Sequence, residues 1–201
     1  MHSLPRVSGS ALVVVAHPDD ETIWMGGTIL SFPATKWTIL SLCRGDDSDR
    51  APKFKKITKH YGAFGIISDL EDDGKLNIKE SLPEIRKRIL KLLPQKNFDY
   101  IFTHAYNGEY GHPRHKGAHQ VFKKLVGEKK ISAKEIFCFS YELLDRTGLA
   151  VPRKKSQYTF KLNPKIFSEK RKIINELYGF KKDSFEYRSS LSYETFNRLE
   201  I

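Results

Sequence analysis

The stretch Ala11-Leu-Val-Val-Val15-Ala16-His17-Pro18-Asp19-Asp20-Glu21 decides the reading of this chain, because an apolar run passes directly into a histidine and three acids. A short strand that is apolar throughout is the kind covered on both faces in a parallel sheet, and the carboxyl end of such a strand is where α/β proteins place their chemistry. With His17 as helix N-cap, Pro18 falls on the first helical position, where no N–H is needed. Asp19, Asp20 and Glu21 then occupy the electropositive first turn. His17 and Asp20, three residues apart, converge on one point and suggest a metal and base site. A helix start with solvated carboxylates uses the same residue types, so a second motif has to decide.

That second motif follows another short apolar strand, Asp99-Tyr-Ile-Phe102. After a loop holding His104, Asn107, Gly108 and Gly111 comes His112-Pro113-Arg114-His115, with His119 four residues on. The His-Pro punctuation repeats, so His112 caps a helix, Pro113 takes its first position, and His115 stands where Asp20 stands in the first motif. His119 lies a further turn along and is expected on the same face. Histidines at spacings of three and four after a strand end point to a metal centre.

Strands are predicted near 11–16, 37–43, 64–69, 98–103 and 135–141, with helices near 20–31, 51–61, 81–93 and 114–126 between them. This βαβ series predicts a Rossmann-like α/β fold: an open, mostly parallel sheet with helices on both faces and strand order 3-2-1-4-5. The strands carrying the two histidine motifs become neighbours at the topological switch point, so segments almost a hundred residues apart meet in one crevice. Beyond residue 150, Tyr158–Leu162 reads as a strand and Pro164–Leu177 as a helix, and the segment is expected to pack on the core as a small C-terminal extension. With 201 residues and 39% hydrophobic content, one domain over 1–201 is expected. No stretch is long and apolar enough for a signal peptide or a spanning helix, which predicts a cytoplasmic protein. Cys43 and Cys138 sit in strand-like surroundings and are read as buried free thiols.

Together, Ala16-His17-Pro18-Asp19-Asp20-Glu21 and Tyr110-Gly111-His112-Pro113-Arg114-His115 resemble the PIG-L/LmbE-like family of zinc-dependent N-deacetylases. Gly45-Asp46, Arg50, Asp73-Gly74, Lys170 to Leu177 and Glu194-Thr-Phe196 extend the resemblance over nearly the whole chain. It implies that His17, Asp20 and His115 hold zinc and that Asp19 is the general base. His112 is then the general acid or oxyanion stabiliser, Tyr110 a gating or oxyanion-contacting residue, and Arg50 and Asp73 contacts to substrate. The implied substrate is a small N-acetylated sugar or glycoconjugate. Two positions depart from the family pattern: Lys53 replaces a glutamate, and Arg114 replaces an aspartate between Pro113 and His115. Arg114 either depresses the pKa of His112, binds an anionic part of the substrate, or faces solvent.

Two imidazoles and a carboxylate leave open positions on a zinc ion, which activates water and polarises a carbonyl, and amide hydrolysis is the natural output. The same set describes a facial triad for Fe2+, which leaves Asp19 and His112 without work. A non-catalytic ligand-binding member is the other alternative; a nucleotide-binding module lacks its glycine-rich turn, since Gly26-Gly27 falls too late. The net charge is +11, and residues 151–201 carry 12 Lys and Arg against 6 Asp and Glu. That excess suits an anionic substrate or surface, although runs such as Arg153-Lys154-Lys155 and Lys181-Lys182 also serve as solvated faces. No nucleic-acid fold signature accompanies them, so no specific nucleic-acid partner is expected. The sequence leaves the oligomeric state open.

Overall fold

Residues Ala11 to Val15 expose no surface at all, as expected for a strand covered on both faces. The computed structural model describes residues 2–144 and 147–200. The elements in chain order are β1 (His2–Ser3), β2 (Ser10–Val15), α1 (Asp20–Ser31), β3 (Lys36–Cys43), α2 (Arg50–His60), β4 (Phe64–Leu70), α3 (Ile78–Leu92), β5 (Asn97–Thr103) and α4 (Gly108–Gly111). They continue with α5 (Pro113–Gly127), β6 (Ser132–Phe139), β7 (Tyr141–Leu144), β8 (Leu149–Pro152), β9 (Tyr158–Lys161), α6 (Pro164–Lys172), a π-helical turn (Ile173–Leu177), α7 (Phe185–Ser189) and β10 (Tyr193–Arg198).

Eight strands form one sheet in the order β1-β9-β10-β6-β5-β2-β3-β4, with β7 and β8 as a separate hairpin. The five strands β4-β3-β2-β5-β6 are all parallel and reproduce the predicted order. Side chains alternate between two cores: Val13, Val15, Ile39, Phe102 and Phe137 face α1, α2 and the π-helical turn. Leu12, Val14, Leu40 and Ile101 face α3 and α5. The C-terminal segment contributes β9 and β10 to the same sheet, β10 running antiparallel to both β6 and β9. The predicted strand 135–141 ends instead at Phe139, because at Ser140 the chain turns out of the sheet toward the β7–β8 hairpin.

The start of α1 corrects one expectation. His17 is not its N-cap and Pro18 not its first residue; the helix begins at Asp20, and Asp19 precedes it with φ 118°. A non-glycine residue rarely adopts that conformation, and here Glu21 Oε2 accepts from the Asp19 N–H at 3.1 Å to hold it. Helix α1 is also broken at Met25, where φ is −150°. The amides freed beyond the break are satisfied by Glu194 of β10, which accepts from the N–H groups of Gly27 and Thr28 at 2.8 Å each. A Cβ at Gly27 would meet the Leu162 side chain at 2.3 Å, so any larger residue there has to displace it. Buried Lys170 donates to the same carboxylate at 2.7 Å, so α6, α1 and β10 meet at one ion pair.

Candidate active site

Strands β2 and β5 are hydrogen-bonded neighbours, and their carboxyl ends deliver both histidine motifs to one cleft of about 360 Å³. His17 Nδ1 lies 3.2 Å from His115 Nε2, and Asp20 Oδ2 lies 3.3 Å from each of those nitrogens. Ligand atoms at bond lengths near 2.0–2.1 Å on a tetrahedral ion stand about 3.3–3.4 Å apart, so these three atoms have the spacing of one face of a metal site. Four further contacts orient them. Glu109 Oε2 accepts from His115 Nδ1 at 2.7 Å, which leaves Nε2 as the donor atom toward the cleft. Asp72 Oδ2 takes the other nitrogen of His17, Nε2, at 3.0 Å. Trp24 Nε1 donates to Asp20 Oδ1 at 2.9 Å, while the His17 N–H donates to Oδ2. Carboxylate–histidine pairs of this kind fix the tautomer and raise ligand basicity.

Three other clusters among the described residues bring potential ligand atoms close together, and one of them, His17–His112–His115, adds His112 to the two histidines of the triangle. In Asp20–His104–His115, His104 Nε2 already accepts from the Ala16 N–H at 2.9 Å, and its Nδ1 bonds Glu109 at 2.7 Å. In His17–Cys43–Asp72, His17 Nε2 is already spent on Asp72 at 3.0 Å. His17, Asp20 and His115 form the tight triangle of ligand atoms, with His112 beside both histidines, and two nitrogens with one oxygen suit Zn2+ or Fe2+.

Asp19 points elsewhere from Asp20. Its Oδ2 accepts from Arg50 at 3.1 Å, and Arg50 lies 4.4 Å over the ring of Phe180. Burial, then the charge of Asp20, holds the Asp19 carboxyl well above the usual range. His112 caps α5 as predicted: its Nδ1 accepts from the Arg114 N–H at 3.3 Å, leaving the proton on Nε2. Burial and the nearby imidazoles of His115 and His17 push its pKa down to about 4. Tyr110 packs edge-on against His115 and Phe185 with centroids 5.1 and 4.9 Å away. Burial raises its hydroxyl pKa, so Tyr110 remains a neutral donor.

Three sequence-selected residues lie outside this cleft. Arg114 is buried, with Nε on the Glu71 carbonyl at 2.6 Å, one terminal nitrogen on Glu71 Oε2 at 2.6 Å, and the same nitrogen on the Leu76 carbonyl at 2.9 Å. It neither faces solvent nor reaches the cleft; it ties down the loop that carries Asp72. Asp73 is exposed, its side chain 3.8 Å from Lys75, and the neighbouring Asp72 faces the site instead. His119 turns away, its Nδ1 donating to the His104 carbonyl at 3.0 Å. Arg44, Asp72 and Glu109 escaped sequence reasoning; the acid in Asn107-Gly108-Glu109, between His104 and the His112–His115 motif, was the available signal for the last.

A model of the PIG-L family, described as GlcNAc-PI de-N-acetylase, matches residues 12–126, a span that holds every residue of the proposed metal site. The chain belongs to the PIG-L family. An uncharacterized protein of Acanthamoeba polyphaga mimivirus is 25% identical over 179 residues, covering 81% of this chain and 76% of that protein. Three crystal structures share the fold. The pseudoaglycone deacetylase Dbv21 matches with TM-score 0.66 at 15% identity over 96% of each chain. The 4-carboxy-2-hydroxymuconate hydratase GalB of Pseudomonas putida matches with TM-score 0.65 at 14% identity over 96% of this chain and 97% of its own. A zinc-inhibited form of the teicoplanin deacetylase Orf2 matches with TM-score 0.62 at 11% identity over 95% and 99%. Deacetylases and a hydratase share this architecture, so the fold does not select the reaction.

Proposed function

We propose that this PIG-L member is a metal-dependent N-deacetylase that hydrolyses the acetamide of an N-acetylglucosamine-type substrate, with Zn2+ held by His17, Asp20 and His115. The observation that carries the reading is the 3.2–3.3 Å triangle of His17 Nδ1, Asp20 Oδ2 and His115 Nε2 beside a separate, buried carboxyl at Asp19. When bound, the metal supplies Lewis-acid polarisation and eases deprotonation of water. Asp19 takes the proton as the water oxygen bonds to the amide carbon. It then returns that proton to nitrogen as the C–N bond breaks, leaving acetate and a free amine. Arg50 orients Asp19 through their contact. The Nε2–H of His112 and the hydroxyl of Tyr110 are donors for the oxygen that gains charge. Asp47, Glu186 and Arg44 line the cleft and suit the hydroxyls of a sugar ring. The paired arginines and surrounding acids favour a neutral ring in this cleft over an anionic one.

Amine release from N-acetylated sugars, measured alongside elemental analysis, tests the proposal. The expected result is stoichiometric acetate and amine, about one metal per chain, and loss of turnover with a chelator. Turnover that requires dioxygen would assign the triad to iron chemistry instead. Metal binding without turnover would make the chain a ligand-binding member, and hydration of an unsaturated acid without amine release would align it with GalB.

A further inference from the structure

The side of the sheet facing α3 and α5 is only partly covered. α5 packs over β2 and β5, while α6, the π-helical turn and α7 all gather with α1 on the opposite side. Cys138 of β6 and Asn197 of β10 are paired in register and face the side that the helices leave open. A second cleft of about 310 Å³ lies there, walled by Lys123 of α5, Tyr106, Arg153, Lys155, Gln157 and Asn197.

Its polar groups have one property in common. The Gln157 N–H donates to Asn197 Oδ1 at 2.8 Å, and the Arg198 N–H donates to Gln157 Oε1 at 2.7 Å. Both amide side chains thus have their acceptor oxygens engaged by backbone, leaving their NH2 ends as donors. Lys123 and Lys155 have no carboxylate within 4.0 Å among the described residues. Arg153 has only a 3.8 Å contact with Glu142 and lies 5.4 Å from the centroid of the Tyr106 ring, which is largely exposed. Glu200 is the one acid lining the cleft. Two unpaired ammonium groups, a guanidinium and two amide donors around one concavity match the acceptor-rich, doubly charged surface of a phosphoryl group.

We propose that this cleft is an anion-binding site for a phosphoryl group, such as a phosphate monoester, separate from the metal cleft. It takes Arg153 and Lys155 out of the basic run and gives them a ligand. The site does not depend on the deacetylase reading, because binding can be measured without turnover. Ala105 and Tyr106, which line it, follow His104 directly in sequence, so an occupant would touch the loop whose Glu109 orients His115.

The test is calorimetric titration with inorganic phosphate at fixed ionic strength. It compares the intact chain, Lys123→Ala/Lys155→Ala, a charge-matched Lys55→Ala/Lys56→Ala control on the exposed face of α2, and His17→Ala, each checked for folding by circular dichroism. Binding in the millimolar range is expected for the intact chain, corresponding to about −4 kcal/mol. It should weaken tenfold or more in Lys123→Ala/Lys155→Ala and persist in the other two variants. Equal weakening by both lysine pairs would show general attraction to a basic surface and overturn the site. Loss in His17→Ala with retention in Lys123→Ala/Lys155→Ala would move the phosphate to the metal cleft. No binding to the intact chain would reject the proposal outright.

Discussion

Asp19 and Asp20 are adjacent, yet the left-handed turn at Asp19 directs one carboxylate to Arg50 and the other to the histidines. Asp19→Asn is therefore expected to keep about one metal per chain while losing two or more orders of magnitude in turnover, in line with removal of a general base. Asp20→Ala and His115→Ala should lose the metal, and inductively coupled plasma analysis of the three variants separates the roles. Glu109 is buried outside the cleft lining, and its carboxylate fixes the ring of His115. Glu109→Gln should weaken metal binding by about 10- to 100-fold in a competitive chelator titration, the usual effect of removing such a partner. Sequence alone offered His17, Asp20 and His115 as candidates because the His-Pro motif repeats after two strand ends, and the structure brings their side-chain atoms within 3.3 Å of one another. It did not show Asp72, because a loop residue reaches His17 only through tertiary folding, and the Asp72-Asp73 pair offers no periodicity to choose between its members.

At the level of elements, two buried charges hold loops and helices in the shape the site needs. Glu194 links the broken α1 to β10 and to Lys170. Glu194→Ala leaves a buried ammonium and two amides unpartnered, and should cost about 3–5 kcal/mol by urea denaturation. Arg114 grips the Glu71–Leu76 loop with two nitrogens, a geometry a lysine cannot copy. Arg114→Lys should loosen Asp72, lower metal affinity, and leave the pH dependence of turnover in place; a shifted pH profile at constant metal affinity would restore a direct effect on His112. The strand order and the four long helices were legible because apolar runs and helical periods alternate cleanly from 11 to 126. The β7–β8 hairpin, α7 and β10 were not, since they are short and acquire their shape from packing against α1 and α4.

For the molecule as a whole, the first link between β2 and its neighbours is electrostatic. Asp99 of β5 accepts from the Ser10 N–H at 2.8 Å and from Lys134 of β6 at 2.6 Å. The Lys134 contact first, then the Ser10 bonds, lower its pKa from 3.8 to about 2. A carboxyl depressed in the folded state contributes stability above its unfolded pKa and loses it as pH falls through the folded value. The gap in urea midpoint between the intact chain and Asp99→Asn should therefore be constant above about pH 5 and narrow toward pH 3. A gap that stays the same at low pH would assign the contribution to packing.

The position of Glu194 also has a consequence for biogenesis. Ribosomes deliver a chain from its N-terminus, so His17, Asp20 and His115 all emerge well before β10. The half that carries these three residues can be in place while the amides of Gly27 and Thr28 still lack their acceptor. A nascent chain halted before residue 194 would then hold all three side chains yet present an unsealed helix beside them. Unpaired buried backbone is costly, and a chain destabilised in this way is more open to chaperones and proteases. β10 thus completes the hydrogen bonding of a helix made long before it leaves the ribosome.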